Sequence, residues 1–229
     1  MKQLISKLLA VFGGLLLLVA LLLTVLDLCC FDLDFFETEY EKYNNAEVMG
    51  ISDEDLMHTT EVLLDYIQDK RTDMIVKAEI KGVNREVFNK RETDHMVDVK
   101  NLYLSAMTVR NFCAVFSLIC YGIIGFLQHS KAIFEISKGF LDSCVSFLII
   151  LGGLGFYAFV DFTRFWTMFH QIFFTNDLWL LNPKTDIMIL MVPEGFFYDL
   201  VFKIAFMFLL SATLLFLICL FLKRKEGKS

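Results

Sequence analysis

The sequence predicts an all-α integral membrane core of four transmembrane helices with an extracytoplasmic α or α+β cap. Three observations lead there. The chain is 56% hydrophobic with mean hydropathy +0.58, whereas soluble domains are about 45–50% apolar. Charged residues still make up 21% of it, so a sizeable aqueous part must accompany the spans. Basic residues gather at both chain ends and in one short connector, the pattern of cytoplasmic segments. The net charge of −6 and a pI near 5.2 argue against nucleic acid as a partner.

The first span is expected at residues 8–28, preceded by Lys2 and Lys7. A cleaved signal peptide needs a shorter apolar core and a small-residue cleavage site. Here the run is long and ends Leu26-Asp27-Leu28-Cys29-Cys30, so it reads as an uncleaved span. Further spans are expected at 103–127, 140–164 and 196–222, each long enough to cross a bilayer. The connector 128–139 carries Lys131 and Lys138, and the tail 223–229 carries Lys223, Arg224, Lys225 and Lys228. Both termini and this connector are therefore placed in the cytoplasm. Segments 29–102 and 165–195 are left outside, the first as a cap whose last helix leads into the second span.

Within the outer segments, Asp32 to Tyr40 is acidic and aromatic and suits the membrane interface. Ser52-Asp53-Glu54-Asp55 predicts a helix start, with a hydroxyl cap and acids at the positive end of the helix dipole. Apolar residues at helical spacing carry that helix towards Arg71. Met74 to Lys81 alternates apolar and polar, and Gly82 follows as a turn, which predicts a strand or hairpin arm. The next helix opens near Arg91 with Thr93 as cap, and Met96, Val99, Tyr103 and Met107 recur on one face. At 1.5 Å per residue His95 stands about 12 Å above Tyr103 in a straight helix.

Of the four histidines, His58 and His129 read as ordinary surface residues. His95 and His170 sit just outside the second and third spans, at similar depth. Histidine is the side chain whose ordinary pKa lies near neutrality. Arg110 enters the second span beside Asn111, either as a functional charge at membrane depth or snorkelling to the interface. Asp161 and Arg164, and likewise Asp199 and Lys203, are spaced for helical ion pairs. Trp166, Trp179, Tyr198 and Phe196-Phe197 read as interface anchors. The six cysteines lie mostly in apolar runs, where they pack as small hydrophobes. Adjacent Cys29 and Cys30 allow acylation, but packing is favoured. No HExxH, GxSxG or P-loop occurs. His95, Asp98 and His170 are ordinary metal-ligand types without diagnostic spacing.

Four spans with both ends inside, Glu92-Thr93-Asp94-His95-Met96-Val97-Asp98-Val99 before span two, and Phe169-His170-Gln171-Ile172-Phe173-Phe174 with Asn176, Asp177, Trp179 and Pro183 after span three make one pattern. It resembles the lipoprotein intramolecular transacylases of Gram-positive bacteria over nearly the whole chain; nothing is carried over to Asp32–Lys90. The resemblance implies a plasma-membrane enzyme with an extracytoplasmic active site. Its reaction moves the sn-2 acyl chain of a diacylglyceryl-modified lipoprotein onto the α-amino group of that lipoprotein's N-terminal cysteine. His95 and His170 are then the catalytic residues, with membrane lipid and lipoprotein as partners, no cofactor and no metal.

The residues suit that chemistry. An α-amino group titrates at about 7.7–8.0 and histidine at about 6.5, so a neutral imidazole can take the amine's proton and return one to the leaving alcohol. The second imidazole can orient the first or donate to the oxyanion. Asp94 and Asp98, adjacent in sequence, favour His95 as the base. Arg110 and Arg164 are second-line candidates for substrate contacts. Two alternatives stand beside this reading: a metal-dependent membrane hydrolase using His95, Asp98 and His170, and a non-enzymatic four-span adaptor. A claudin-like adaptor would carry a Trp-and-Cys signature in its first outer loop, which Cys29-Cys30 without a nearby Trp does not match.

Overall fold

Long apolar runs fold as long helices here, because a helix satisfies every backbone group within its own segment and so tolerates lipid. The computed structural model describes residues 2–226; Gly227 to Ser229, the end of the expected basic tail, lie outside the described residues. The order is α1 (Lys2–Cys30), α2 (Leu33–Tyr43), α3 (Asn45–Met49), α4 (Asp53–Ile67), β1 (Lys77–Ile80), β2 (Val83–Glu86), α5 (Lys90–Gln128), a 3-10 turn (His129–Lys131), α6 (Ala132–Val160), α7 (Phe162–Phe173), α8 (Met188–Met191) and α9 (Glu194–Glu226). Among the described residues, three continuous helical stretches are long and apolar enough to cross a membrane: Lys2–Cys30, Lys90–Val160 and Glu194–Glu226. The second contains both α5 and α6, joined through the 3-10 turn.

The chain divides into two compact units. Among the described residues, the first comprises 2–27, 106–160 and 203–226. Its helices expose large side chains such as Leu118, Phe126, Ile149, Phe156 and Phe206, as lipid-facing helices do. What joins them is small residues and polar bonds, the means by which helices associate in lipid. Ser117 Oγ donates to the Gly13 carbonyl at 2.9 Å, Ser143 Oγ to the Val11 carbonyl at 2.8 Å, and Gln128 Nε2 to Ser6 Oγ at 2.8 Å. Arg110 pairs with Asp27 at 2.7 Å, each side chain about a quarter exposed. Ala10, Ile124 and Ala132 form a buried cluster.

The second unit comprises Leu28–Ser105 and Asp161–Phe202. Its core includes Phe36, Tyr40, Met49, Leu56, Val87, Met191 and Phe196. Helix α4 starts where the sequence predicts, with Ser52 Oγ accepting from Asp55 N at 3.1 Å. Strands β1 and β2 pair antiparallel, Ile80 opposite Val83. Lys81 and Gly82 between them have φ of 52° and 79°, the two positive angles a tight hairpin turn requires. One expectation changes and another is extended. Asp199, read from local spacing with Lys203, also binds Lys42 and accepts from Tyr43 Oη at 2.9 Å. The Thr93 cap gives way to a helix that begins at Lys90; Thr93 Oγ1 donates backwards to the Asn89 and Lys90 carbonyls at 3.0 and 2.9 Å.

Gly139 tests the close approach of α1 and α6. A Cβ there would lie 2.3 Å from Ala10 Cβ and 2.5 Å from the Ala10 carbonyl carbon, whereas one on Gly153 meets nothing within 4 Å. Gly139→Ala is expected to cost about 1–3 kcal/mol and lower the thermal midpoint in detergent, with Gly153→Ala close to the parent.

Candidate active site

The first turn of α5 is built on a reciprocal cap. Asn89 Oδ1 accepts from Glu92 N at 3.1 Å, and Glu92 Oε2 accepts from Asn89 N at 2.7 Å. This is the capping-box arrangement with asparagine in the hydroxyl's place. Glu92 is fully buried, and its other oxygen, Oε1, accepts from Met188 N at 2.6 Å. One carboxylate thus joins the start of α5 to α8. Burial pushes its pKa up, and the backbone N–H bonds pull the other way.

Three more polar contacts join the same turns of α5 to the chain after α7. Asn89 Nδ2 donates to Asp186 Oδ1 at 2.8 Å. The Arg91 guanidinium donates to the Asp177 carbonyl and stands 3.6 Å from its carboxylate. Asn176 Nδ2 donates to Asp98 Oδ2 at 2.8 Å. Positions 89, 91, 92 and 98 bracket His95, so its backbone is held from both sides.

His170 is carried by a helix of its own. Helix α6 ends at Val160, and Asp161 caps α7, its side chain accepting from Arg164 N at 3.1 Å. The segment read as the end of a span and the start of a connector is therefore a separate amphipathic turn of chain. His170 lies near its end and is 8% exposed. Its Nδ1 lies 2.7 Å from the Trp166 carbonyl oxygen. A carbonyl only accepts, so Nδ1 carries the proton and Nε2 keeps the lone pair. Four aromatic rings surround the imidazole: Trp179 stacked at 4.8 Å, Trp166 edge-to-face at 4.9 Å, Phe169 at 5.5 Å and Phe174 at 5.6 Å.

His95 and His170 come together. Their ring centroids are 6.2 Å apart at 32°, and Phe174 touches both, standing 5.3 Å from His95. The separation is too long for a direct hydrogen bond and leaves room for a bridging polar group. His95 is 7% exposed, and its Nδ1 is buried without a hydrogen-bond partner. Burial, with the charge of His170 adding, pushes its pKa down to about 4; Asp98 opposes and Arg91 reinforces the shift. Burial also lowers His170, against the Trp166 carbonyl. Both imidazoles are neutral at pH 7.

The other candidates are elsewhere employed. Asp94 pairs with Lys90 at 2.9 Å on an exposed face, and Asp98 takes the Asn176 amide. Arg164 pairs with Asp161 at 3.1 Å as its spacing predicts and is 80% exposed. Arg110 belongs to the first unit. Among the described residues no three His, Cys, Asp or Glu side chains are grouped to hold a metal ion. Trp166 and Trp179, read as interface anchors, pack on His170. Sequence reasoning missed the roles of Glu92, Asn89 and Asp186. The Asn89-x-x-Glu92 spacing was a readable signal of the cap, whereas the contacts to Met188 and Asp186 leave no local trace.

The model of the family described as lipoprotein intramolecular transacylase Lit matches residues 11–197, which include both histidines. The chain belongs to the lipoprotein intramolecular transacylase family. It is thus an acyltransferase. A comparison with curated proteins finds no match. Among solved structures, the in meso structure of the membrane-integral lipoprotein intramolecular transacylase Lit from Bacillus cereus is similar at TM-score 0.79 and 18% identity, over 98% of each chain. Two histidine variants of that protein follow. The arginine form has TM-score 0.74 at 16% identity, over 97% of this chain and 94% of that one. The alanine form has TM-score 0.75 at 16% identity, over 98% and 96%. At these identities the likeness speaks for the shared fold.

The neutral His95 of this transacylase has a measurable consequence. Between pH about 6.5 and about 4 the unfolded chain takes a proton that folded His95 refuses. Stability is then expected to fall with pH through that window, by up to about 1.4 kcal/mol per unit for this group. Thermal unfolding against pH should show a shallower acid slope in His95→Gln than in the parent. Glu92→Gln, which leaves one of two buried N–H groups without its acceptor, is expected to cost about 1–3 kcal/mol at pH 7 in the same measurement.

Proposed function

We propose that His170 is the general base and His95 the oxyanion donor in transfer of an sn-2 acyl chain to the α-amino group of a lipoprotein's N-terminal cysteine. The observation that carries the division of roles is the Nδ1 bond of His170 to the Trp166 carbonyl. It leaves Nε2 as a base of fixed tautomer and direction. The carboxylates that favoured His95 as base are occupied by Lys90 and Asn176. Neutral His95 still carries one N–H, and the 6.2 Å between the two ring centroids leaves space for an oxyanion to accept it.

The reaction then runs as follows. The neutral α-amine attacks the sn-2 ester carbonyl, and His95 holds the oxygen as it gains charge. His170 Nε2 takes the ammonium proton of the adduct and passes it to the glycerol oxygen as the C–O bond breaks. An amide and a free sn-2 hydroxyl result, the lyso-form lipoprotein. Amine and ester belong to one molecule, so the protein's contribution is orientation and proton transfer. The apolar surroundings of the two rings keep water from competing with the amine.

Charge placement supports a setting in the bacterial plasma membrane, with four crossings and both basic ends and the 128–139 connector in the cytoplasm. The histidines are then extracytoplasmic. We expect His170→Gln and His95→Gln each to lower lyso-form production by roughly 100- to 10,000-fold. The measurement is mass spectrometry of lipoprotein N-termini in a host lacking its own transacylase. Unchanged product from either variant refutes the assignment for that residue.

A further inference from the structure

We propose that Trp179 is a positioning residue for acyl transfer, its indole face stabilising the imidazolium that exists while His170 holds the substrate's proton. This rests on reading His170 as the base.

Proton transfer to Nε2 breaks an N–H bond of the ammonium adduct and leaves a cation on a ring that is 8% exposed. That cation needs a partner. The Nδ1–H bond to the Trp166 carbonyl supplies one, at 2.7 Å. Among the described residues no carboxylate hydrogen-bonds this ring. His95, neutral, faces it at 6.2 Å between ring centroids, and the charges that act on His95 are Asp98 and Arg91. Arg91 and Asp177 pair with each other, and Asp98 accepts from Asn176. What remains is the aromatic surround. Trp166 and Phe169 stand at 82° and 86° to the imidazole and Phe174 at 47°, but Trp179 lies at 29° with centroids 4.8 Å apart. A near-parallel indole is the strongest aromatic partner for a delocalised cation, because its face carries the negative part of the ring quadrupole.

The indole is also anchored where this requires. Its Nε1–H donates to the Asn176 carbonyl at 3.0 Å, and Asn176 Nδ2 donates to Asp98 at 2.8 Å. The residue that supports Trp179 is therefore one that ties the loop to the His95 helix. Stacking on neutral imidazole is weaker than on imidazolium, so the gain appears chiefly when the proton is on His170. An effect confined to that species raises kcat rather than lowering KM.

The test uses the full chain in lipid, a synthetic diacylglyceryl lipopeptide, and the variants Trp179→Phe and Trp179→Leu. Trp179→Leu is expected to lose about 3- to 30-fold in kcat with little change in KM, and Trp179→Phe, which keeps a ring face, to recover much of it. In NMR of ring-labelled histidine, assigned with His170→Gln, the His170 titration should move further down in Trp179→Leu and less in Trp179→Phe. A His170 titration and kcat unchanged in Trp179→Leu overturn the proposal. So does a loss confined to KM, or equal losses in the two variants. Full transfer by His170→Gln overturns the base assignment instead, and the ring titration, read without turnover, keeps the two failures apart.

Discussion

The buried carboxylate of Glu92 is the contact on which the site's geometry depends. It accepts from Asn89 N on one side and Met188 N on the other, at 2.7 and 2.6 Å. A buried carboxylate with both oxygens satisfied is fixed in place, since any movement leaves a desolvated polar group without a partner. It sets where α5 begins and binds that start to α8. Asn89, Arg91 and Asp98 add contacts to Asp186, Asp177 and Asn176. His95 needs no polar restraint of its own, because the turns on either side are already held.

The two histidines are prepared differently. His170 has one nitrogen committed to a backbone carbonyl, which fixes its tautomer, while four aromatic rings restrict its plane. His95 has a buried Nδ1 with no partner. An unsatisfied buried nitrogen costs stability. Burial favours the neutral form of both rings. A neutral pair can take a proton and donate a hydrogen bond at once, whereas two imidazolium ions have no lone pair to take the proton and repel each other.

The membrane-spanning unit follows a different rule. Its large apolar side chains point outward, and its helices meet through Gly13, Gly14, Gly139 and Ala10 with hydroxyls spanning to carbonyls. Lipid is as apolar as leucine, so burying leucine gains nothing there and close backbone approach takes its place. The second unit has an ordinary hydrophobic core and an ordinary hairpin. The contrast within one chain is the contrast between two solvents.

Much of this was legible in the residues. Apolar run length and flanking charge locate the long helices, and Ser52 and Lys81-Gly82 mark a helix start and a turn, because each depends on chemistry within a few positions. The two histidine motifs were visible and sufficient to suggest the family. Thr93 as cap was inferred from neighbours in sequence, and Asn89 with Glu92 takes that place. The bonds of Asp199 to Lys42 and Tyr43, and the packing of Trp166 and Trp179 on His170, join residues that sequence spacing does not connect. The sequence alone determined that two imidazoles flank the spans. Only tertiary structure decided that they stand 6.2 Å apart, which one has its tautomer fixed by a backbone carbonyl, and what surrounds it. Those outcomes depend on packing between distant segments, and local hydropathy and turn chemistry carry no record of that packing.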